Sequence, residues 1–440
     1  MKSNYFCRLL LPLVLPAALG AADLPHHLFV PPSEVLSLDW VLGEVRTNNP
    51  SLKGAGAAWR ALRERVAQQR AWDDPRAGVD FNVARFVSVP ADSFSDQTLF
   101  AEQTIPMAGR NKLRARAAAS EASAGGEEYR QRQLDLLTKA QASYYRLANA
   151  YGQWEINRRS AAFLEQIAEA ARHKLESGQE TQGGVLTAET DLAKLDESAF
   201  DLERQVADEE ALLNTLMNHP ADAPLGRPAP PPFAEVVLRF DRVEAAALAH
   251  RPALLAAAKK IEAARARLEA SRRNWIPEPS LRLAAERYNG ASQAVDDVMA
   301  GVSFDLPWFQ HEKYASATRE NRELLSGARY ELDSLRAETA AMVREQLTKI
   351  ETFHHHYELF RDKVAPLARQ SIEASRVSYE SGKTGLTQVL AAQHNAQESD
   401  SMLLQHLTDY QIALADLTSL AGTPLSEMTA ASTSNPKENP

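Results

Sequence analysis

The sequence predicts a mainly α-helical protein with a small β part, built from one structural unit that occurs twice. Three observations predict this fold. Short landmark sequences recur in the same order at a separation of about 200 residues. Alternating apolar and polar residues mark two strand-like stretches in each half. Long stretches without proline carry apolar residues three and four positions apart, which is the spacing of coiled-coil helices.

The first 22 residues have the features of a secretion signal peptide. Lys2 and Arg8 give a basic start, residues 9–19 are apolar, and small residues follow them. We therefore expect the mature chain to begin near residue 23. The only cysteine, Cys7, precedes the apolar run, which is the wrong position for the lipidated first residue of a lipoprotein.

Charge and hydropathy limit the partners of the chain. Its 440 residues have a formal net charge of -9, with acidic and basic residues interspersed. This argues against a nucleic-acid partner, because phosphate binding needs a basic face. After the signal, no apolar run reaches the roughly 18 residues that a membrane-spanning helix requires. If the chain crosses a membrane, it must do so with strands, which points to the outer membrane of a bacterium.

The internal repeat divides the mature chain into two similar parts. Four pairs of landmarks keep the same order, with separations of 201 to 204 residues: Pro50 and Pro252, Pro106 and Pro307, Gly178 and Gly382, and Val185 and Val389. We predict a first repeat over residues 23–218 and a second over residues 236–422. A proline-rich linker over residues 219–235 separates them, and residues 423–440 are expected to form a disordered tail.

Each repeat is predicted to contain two strands between its helices. Residues 298–306 alternate apolar and polar side chains, and residues 279–288 do the same. In the first repeat, one alternation starts at Val79 and a weaker one covers residues 99–105. Four strands cannot close a barrel, and open sheet edges in lipid leave backbone polar groups without partners. The sequence therefore predicts that several copies combine their strands.

Long helical hairpins make up most of each repeat. Residues 110–177 lie in a stretch without proline and would form roughly 100 Å of helix, with Gly125 and Gly126 as a candidate interruption. Heptad seams occur in both repeats: Leu137, Ala140, Tyr144, Leu147, Tyr151 and Trp154 in the first, and Leu403, Leu407, Tyr410, Leu414 and Leu417 in the second. Pro366 is expected to kink or break the long helix of the second repeat.

These features together resemble the TolC family of outer-membrane efflux proteins. The resemblance also rests on the sequences where the helical hairpins turn: Ser177-Gly178 before Val185-Leu186, and Ser381-Gly382 before Val389-Leu390. It implies a homotrimer in which twelve strands form an outer-membrane β-barrel above a periplasmic tunnel of coiled-coil helices. It also implies a passive efflux channel without cofactor or enzymatic activity, served by a periplasmic adaptor protein and an inner-membrane pump.

The finer assignment has several alternatives. The segment QTIPMAGR at residues 103–110 is similar to family members that serve heavy-metal pumps. We therefore expect a pump of the RND type and either heavy-metal cations or small toxic compounds as substrate. A conduit for a type I secretion system shares the fold. A periplasmic coiled-coil adaptor or scaffold is the other alternative, although the duplicated hairpins and strand pairs favour the channel.

The hairpin turns are the predicted docking site for the adaptor, since the resemblance implies that they form the periplasmic end. The expected docking residues are Gly178, Gly184, Val185, Leu186, Gly382, Gly385, Leu386, Val389 and Leu390. Leu386, Val389 and Leu390 are expected to be poorly buried within one chain because they lie beside a turn. The glycines have a simpler interpretation, since any helical hairpin needs residues that tolerate a reversed backbone.

The tunnel entrance is predicted from the same resemblance. Many family members narrow the tunnel with acidic residues just after the second turn. The corresponding positions here, Gln388 and Ala391, carry no charge, so the sequence departs from this pattern. Glu180 and Glu189, near the first turn, are the alternative source of negative charge. They are interpreted equally well as solvated acids on a helix face.

Histidines and aromatic residues form two other groups of candidate site residues. His354, His355 and His356 do not predict a metal site, because consecutive helical residues point about 100° apart, and His26-His27 is no stronger a candidate. Aromatic residues near the strands are expected at the membrane interface: Phe81, Phe86, Tyr288, Phe304, Trp308 and Phe309. For Trp72 and Trp275, packing against the protein is the favoured interpretation. No enzymatic motif is found.

Overall fold

The computed structural model describes residues 35–81, 97–289 and 294–429. The predicted signal peptide and His26-His27 lie outside the described residues. Most of the described chain is helical, and its strands form one sheet of four strands and one of two. The predicted fold class, mainly α with a small β part, is confirmed.

The two repeats contain the same elements in the same order. The first consists of β1 (Val35–Leu36), α1 (Leu38–Asn48), α2 (Pro50–Arg70), β2 (Arg76–Phe81), β3 (Gln97–Thr104), α3 (Arg110–Glu176) and α4 (Gln182–Met217). The second follows the linker strand β4 (Arg227–Pro228) and consists of α5 (Phe240–His250), α6 (Pro252–Arg272), β5 (Pro279–Asn289), β6 (Ala294–Phe304), α7 (His311–Leu359), α8 (Ala365–Glu380) and α9 (Leu386–Ala421). The short helix α10 (Leu425–Thr429) follows.

The four-stranded sheet joins the two repeats. Its order is β2-β3-β5-β6, with antiparallel neighbours throughout, so β2 and β6 are its edges. The register places Val79, Leu99, Ala285 and Val298 in one row across the sheet. The strands predicted by alternation are therefore confirmed, and their apolar positions lie on one face.

The long helices form a single layer that continues from the sheet to the hairpin turns. Near the sheet, the packing order is α2, α3, α6 and α7. Toward the turns, the order is α4, α3, α9 and then α7 with α8. One edge of the layer thus belongs to the first repeat (α2 and α4) and the other to the second (α7 and α8). The edge strands of the sheet follow the same rule, since β2 belongs to the first repeat and β6 to the second.

Helix α3 is unbroken over 67 residues. The expected interruption at Gly125 and Gly126 is wrong, because these glycines are sites of close helix packing. A Cβ atom at Gly126 would lie 3.1 Å from Nε1 of Trp59 in α2, and one at Gly125 would lie 2.6 Å from Leu62 Cδ1. The absence of side chains there lets α2 pack closely against α3.

The corresponding helix of the second repeat contains a π-helical turn, Phe360–Val364, between α7 and α8. Pro366 has no N–H group and cannot donate to the carbonyl of Asp362 one turn earlier. The predicted kink or break is thus a local change of helix type, and the helix continues to Glu380. The second repeat is also longer here, since Pro307 and Gly382 are 75 positions apart whereas Pro106 and Gly178 are 72 positions apart.

Two apolar clusters join the helical layer to the short helices α1 and α5. In the first, Val41 and Val45 of α1 are fully buried with Leu147 and Leu213 of the long hairpin. In the second, Val243 of α5 packs with α7 and α9. The predicted seams lie in these clusters, where Tyr144, Leu147 and Tyr151 of the first seam and Tyr410, Leu414 and Leu417 of the second are buried.

The predicted linker is anchored to both repeats. Arg227–Pro228 pairs in parallel with Val35–Leu36. The ring of Phe233 lies 4.6 Å from that of Tyr357 in α7, and Tyr410 of α9 donates a hydrogen bond to Ala234 O at 3.0 Å. The structure also differs from the predicted disordered tail, since residues 425–429 are helical and Met428 is buried against the α5 cluster.

Candidate functional site

The two hairpin turns have matching geometry. The residues between α3 and α4 and those between α8 and α9 form turns of five residues each, 177–181 and 381–385. Gly178 and Gly382 both adopt the left-handed backbone conformation, with φ of 74° and 72°, which glycine adopts without steric cost. Thr181 caps α4 by accepting a hydrogen bond from Gly184 N at 3.1 Å, whereas Gly385 supplies no side-chain cap.

The two hairpin ends share one apolar core. It contains Leu164, Ile167, Ala168, Ala171, Val185, Ala188, Leu195, Tyr379, Leu386, Val389 and Leu390. The expectation that Leu386, Val389 and Leu390 are poorly buried is therefore wrong, because the neighbouring hairpin of the same chain covers them. Val185 is buried as well. Of the five apolar residues predicted at the turns, three on α9 and two on α4, only Leu186 is exposed, at 53%.

Polar contacts also link the two ends. Tyr379 of α8 donates a hydrogen bond to Oε2 of Glu180 in the first turn at 3.3 Å. Lys174 Nζ lies 3.8 Å from the centre of the Tyr379 ring and donates to the Tyr379 carbonyl oxygen. Burial, together with the negative charge of Glu180, raises the pKa of Tyr379 to about 12. The phenol therefore keeps its proton at neutral pH and remains a donor to Glu180.

The residues predicted at the tunnel entrance have different surroundings. Gln388 and Ala391 are exposed on α9. Glu180 accepts the Tyr379 hydrogen bond, and Glu189 accepts from Arg172 at 2.9 Å. Both acids are thus engaged within the chain. The role of these four residues as an entrance stays a prediction.

A polar groove runs along the helical layer. A cavity of about 510 Å³ is lined by α3, α4, α7 and α9 together, so the four helices curve around it. Its charged residues are Arg146, Asp208, Glu209, Lys349, Asp409 and Asp416. Four acids against two bases give a formal charge of -2. Burial raises the pKa of both Asp409 and Asp416, because a desolvated carboxylate is less stable than a solvated one.

The groove and the apolar clusters use mainly different side chains of the same helices. On α9, Asp409, Ile412 and Asp416 line the groove, whereas Tyr410, Leu414 and Leu417 pack toward α5. With about 100° between successive helical residues, these two sets point about 130° apart around α9. The long helices therefore present polar side chains to the groove and apolar side chains to the clusters that α1 and α5 cover.

The sheet is two-faced in the same way. Exposed apolar side chains on one face are Val79, Phe81, Leu99, Leu281, Leu283, Val298, Val302 and Phe304. On the other face, Arg282 forms an ion pair with Asp80 at 3.2 Å, and its guanidinium lies 4.2 Å from the ring centre of Phe100. An apolar face toward lipid and a polar face toward water is the pattern of membrane-spanning sheets.

The aromatic residues near the sheet divide into two groups. Phe81, Phe304, Trp308 and Phe309 are exposed, as an interface belt requires. Phe86 and the side chain of Tyr288 lie outside the described residues. Trp275 packs with Tyr314 at a ring separation of 5.9 Å, as expected. The packing interpretation of Trp72 is wrong for the single chain, since this side chain is 58% exposed.

The histidine triplet has three different environments. His354 stacks on Phe233, with ring planes 14° apart, and so packs at the apolar seam. His355 is exposed. His356 lies against His406 of α9, a residue that sequence reasoning missed because it is 50 positions away. In the part of the chain that the structure describes, no group of three or more His, Cys, Asp or Glu residues is placed to bind a metal ion.

Comparison with known proteins identifies the family. None of the described helices combines the length and apolar character needed to cross a bilayer. The model of the outer membrane efflux protein family matches residues 41–219 and residues 245–423. The chain belongs to this family. Its two matched ranges begin 204 residues apart, which is also the separation of Gly178 and Gly382. A comparison with curated protein sequences gives no match.

Solved structures of outer-membrane proteins have the same fold. The outer membrane protein VceC of Vibrio cholerae is 18% identical, with a TM-score of 0.75 over 88% of this chain and 96% of that chain. A membrane protein of Pseudomonas aeruginosa is 18% identical, with a TM-score of 0.77 over 89% and 91%. The open state of the MtrE outer membrane channel of Neisseria gonorrhoeae is 17% identical, with a TM-score of 0.74 over 90% and 91%.

Family membership decides the general function. As an outer membrane efflux protein, the chain is located in the outer membrane and is a conduit for efflux, not an enzyme. The alternative of a periplasmic adaptor or scaffold is set aside, because both repeats match the channel family over their length. The two-faced sheet and the polar groove are the features of this chain that a conduit requires.

Proposed function

We propose that three copies of this efflux protein form a closed ring around a water-filled pore, as the outer component of a tripartite export system. The observation that carries the proposal is the order of the helical layer. Toward the turns, the short helices α4 and α9 alternate with the long helices α3 and α7–α8. The same alternation continues without interruption if α7–α8 of one copy packs against α4 of the next.

The contact between copies is already present within one chain. The long helix of the first repeat, α3, packs against the short helix of the second, α9. The equivalent contact would join the long helix of the second repeat, α7–α8, to the short helix of the first, α4. Within one chain these two helices lie at opposite edges of the layer. A neighbouring copy supplies the missing partner in a head-to-tail arrangement, which closes into a ring.

The sheet supports the same arrangement. Strand β3 of the first repeat pairs with β5 of the second, so the equivalent pairing joins β6 to β2 of the next copy. Unpaired edges in lipid are costly because each free backbone N–H and C=O loses its hydrogen bond to water. Three copies give twelve strands and no free edge.

Exposed apolar side chains on α4 mark the proposed contact. Leu186 is 53% exposed and Phe200 is 64% exposed. Their equivalents 204 residues later in α9 are Leu390, which is buried, and Leu404, which packs against Gly152 of α3. Burying one such side chain contributes about 1.5–3 kcal/mol. We therefore assign Leu186 to the contact between copies, rather than to adaptor docking.

The opposite edge offers the complementary residue. Leu367 of α8 is 63% exposed, whereas its equivalent in the first repeat, Phe163 of α3, packs against the shared core of the hairpin ends. In the ring, Leu367 would lie beside Leu186 of the next copy, as Phe163 and Leu390 lie in one cluster within the chain.

The polar groove forms the inner wall of the proposed tunnel, and α1 and α5 lie outside it. The adaptor would dock on the exposed turns around Gly178 and Gly382. The Tyr379–Glu180 hydrogen bond would hold the two hairpin ends together at rest.

Energy for export would come from an inner-membrane pump, and the QTIPMAGR segment favours a pump of the RND type. The acidic excess of the groove attracts cations, which favours heavy-metal ions over polypeptides as substrate.

Cysteine cross-linking tests the ring. The only natural cysteine, Cys7, lies in the predicted signal peptide, so introduced cysteines are the only thiols in the mature chain. A protein carrying both Leu186→Cys and Leu367→Cys should give covalent dimers and trimers on oxidation, and no larger ladder. Each single variant is the control and should give neither product.

Planar-bilayer recording of the purified trimer completes the test, with a steady conductance as the expected result. Absence of cross-links in the double variant, together with monomers in detergent, would reject the ring.

A further inference from the structure

A pair of histidines lies where α7 meets α9, beside the π-helical turn. The ring centres of His356 in α7 and His406 in α9 are 5.0 Å apart, with their planes at 52°. Phe360, the first residue of the turn, places its ring edge-on to His406, also at 5.0 Å. The pair therefore links the two helices at the point where α7 loses its regular α-helical geometry.

The His406 ring has hydrogen-bonding capacity that the chain does not use. Its Nδ1 atom is buried and has no hydrogen-bond partner, which is an unfavourable state for a polar atom. Burial, and after it the neighbouring His356, lower the pKa of His406. A lowered pKa favours the neutral imidazole, which is the form that binds metal ions.

The spacing of the two rings fits a shared metal ion. A zinc ion binds an imidazole nitrogen at about 2.0–2.1 Å, so two imidazoles on one tetrahedral ion have ring centres about 5 Å apart. The residues of the triplet diverge from one another, but α9 supplies a second ring from the facing helix. We propose that His356 and His406 together bind one divalent cation of the zinc, nickel or copper class, with water at the remaining positions.

The pair lies beside the polar groove. Gln405 and Asp409, which flank His406 in α9, line the polar groove, and so does Phe353, one turn before His356. The acidic excess of the groove attracts cations toward the pair. An ion bound there would tie α7 to α9 and restrain the π-helical turn. The first repeat has no equivalent, since residue 202 is leucine and no histidine occurs at residues 152–155.

Titration of the purified protein with Zn²⁺ at pH 7.5 tests the site, using full-length mature chain without a polyhistidine tag. Calorimetry should show one site per chain, and both His356→Ala and His406→Ala should weaken it at least tenfold. His355→Ala is the matched control and should bind as the natural chain does, because His355 is adjacent in sequence but exposed. Binding should weaken at pH 5.5, since a metal ion binds only deprotonated imidazole nitrogen.

A second measurement protects the test against folding defects. Electron paramagnetic resonance of bound Cu²⁺ should show two imidazole nitrogens in the natural chain and one in each single variant. If circular dichroism shows that His406→Ala misfolds, His406→Gln replaces it. Absence of a saturable site in the natural chain, or an equal loss in His355→Ala, overturns the proposal. Because the readout is binding, either result leaves the proposed ring and its conductance untouched.

Discussion

The two long helices come from equivalent parts of the repeat, yet they have different structures. Helix α3 is regular over 67 residues and lies inside the layer, with neighbours on both sides. Its counterpart α7–α8 lies at an edge and contains the π-helical turn Phe360–Val364. The short helices differ in the opposite sense, since both have 36 residues but α9 is inside and α4 is at the edge. The long helix is therefore an inner helix in the first repeat and an edge helix in the second, and the reverse holds for the short helix. The position of each helix depends on how the two repeats pack against each other.

This difference explains the exposed side chains of the single chain. The inner helix α9 has fifteen buried positions, whereas α4 has eight over the same length. Apolar residues on α4 and on α7–α8 that have packed equivalents in the other repeat remain exposed. The edge helices thus expose an apolar surface that the equivalent inner helices bury within the chain.

The largest expected effect concerns the inner helix. Leu147 of α3 is fully buried in the α1 cluster, and Leu147→Ala should lower the free energy of unfolding by about 2–5 kcal/mol because it leaves a cavity. Thermal unfolding followed by circular dichroism measures this loss. Leu186→Ala at the edge should cost the isolated chain much less, and equal losses would contradict the distinction between inner and edge helices.

A charge at equivalent positions of the two repeats should have opposite consequences. Phe200→Glu on α4 should leave helicity unchanged but dissociate the ring, since each contact loses about 1.5–3 kcal/mol of apolar burial. Leu404→Glu, at the equivalent position of α9, should instead lower the melting temperature because it places a charge against Gly152 of α3. Size-exclusion chromatography with light scattering and thermal melts separate the two outcomes. Dissociation in both variants, without unfolding in either, would show that Leu404 is not an inner residue.

The contact between the hairpin ends should have a smaller effect. Tyr379→Phe removes the hydrogen bond to Glu180 and should cost about 0.5–1.5 kcal/mol, which raises the open probability of the channel in planar bilayers. Tyr330→Phe, at a 72% exposed site on α7, is the matched control. Unchanged gating in Tyr379→Phe would mean that the shared apolar core alone holds the ends together.

The smallest effect is expected from pH. Because the pKa of His406 is lowered in the folded chain, the unfolded chain binds a proton below about pH 6.5 that the folded chain does not bind. Stability should therefore be highest above that pH and should fall as the pH decreases toward the lowered pKa of the folded state. His406→Gln should remove this part of the decrease, although the nearby Asp409 still titrates. Identical pH profiles for both chains would contradict the assignment.

Much of the architecture could be predicted because its signals are local. Alternation at residues 298–306 requires only that successive strand residues face opposite ways, and the heptad seam through Leu147 requires only helical spacing. Gly178 and Gly382 were recognisable because a short reversal between helices favours a left-handed residue. The candidate site was predicted less well. The burial of Val389 depends on the hairpin of the other repeat, about 200 residues away, and no local pattern reports that distance.

The sequence by itself determined the repeat, the strands, the long helices and the turns, since each follows from periodicity or from the conformational preference of single residues. Only the tertiary structure decided that the hairpin ends cover each other, that Leu425–Thr429 is helical, and that His406 lies against His356. The physical reason is that burial and pairing between distant segments depend on how whole helices are ordered in the layer. That order is set by the summed packing of many side chains, to which each residue contributes only a small part.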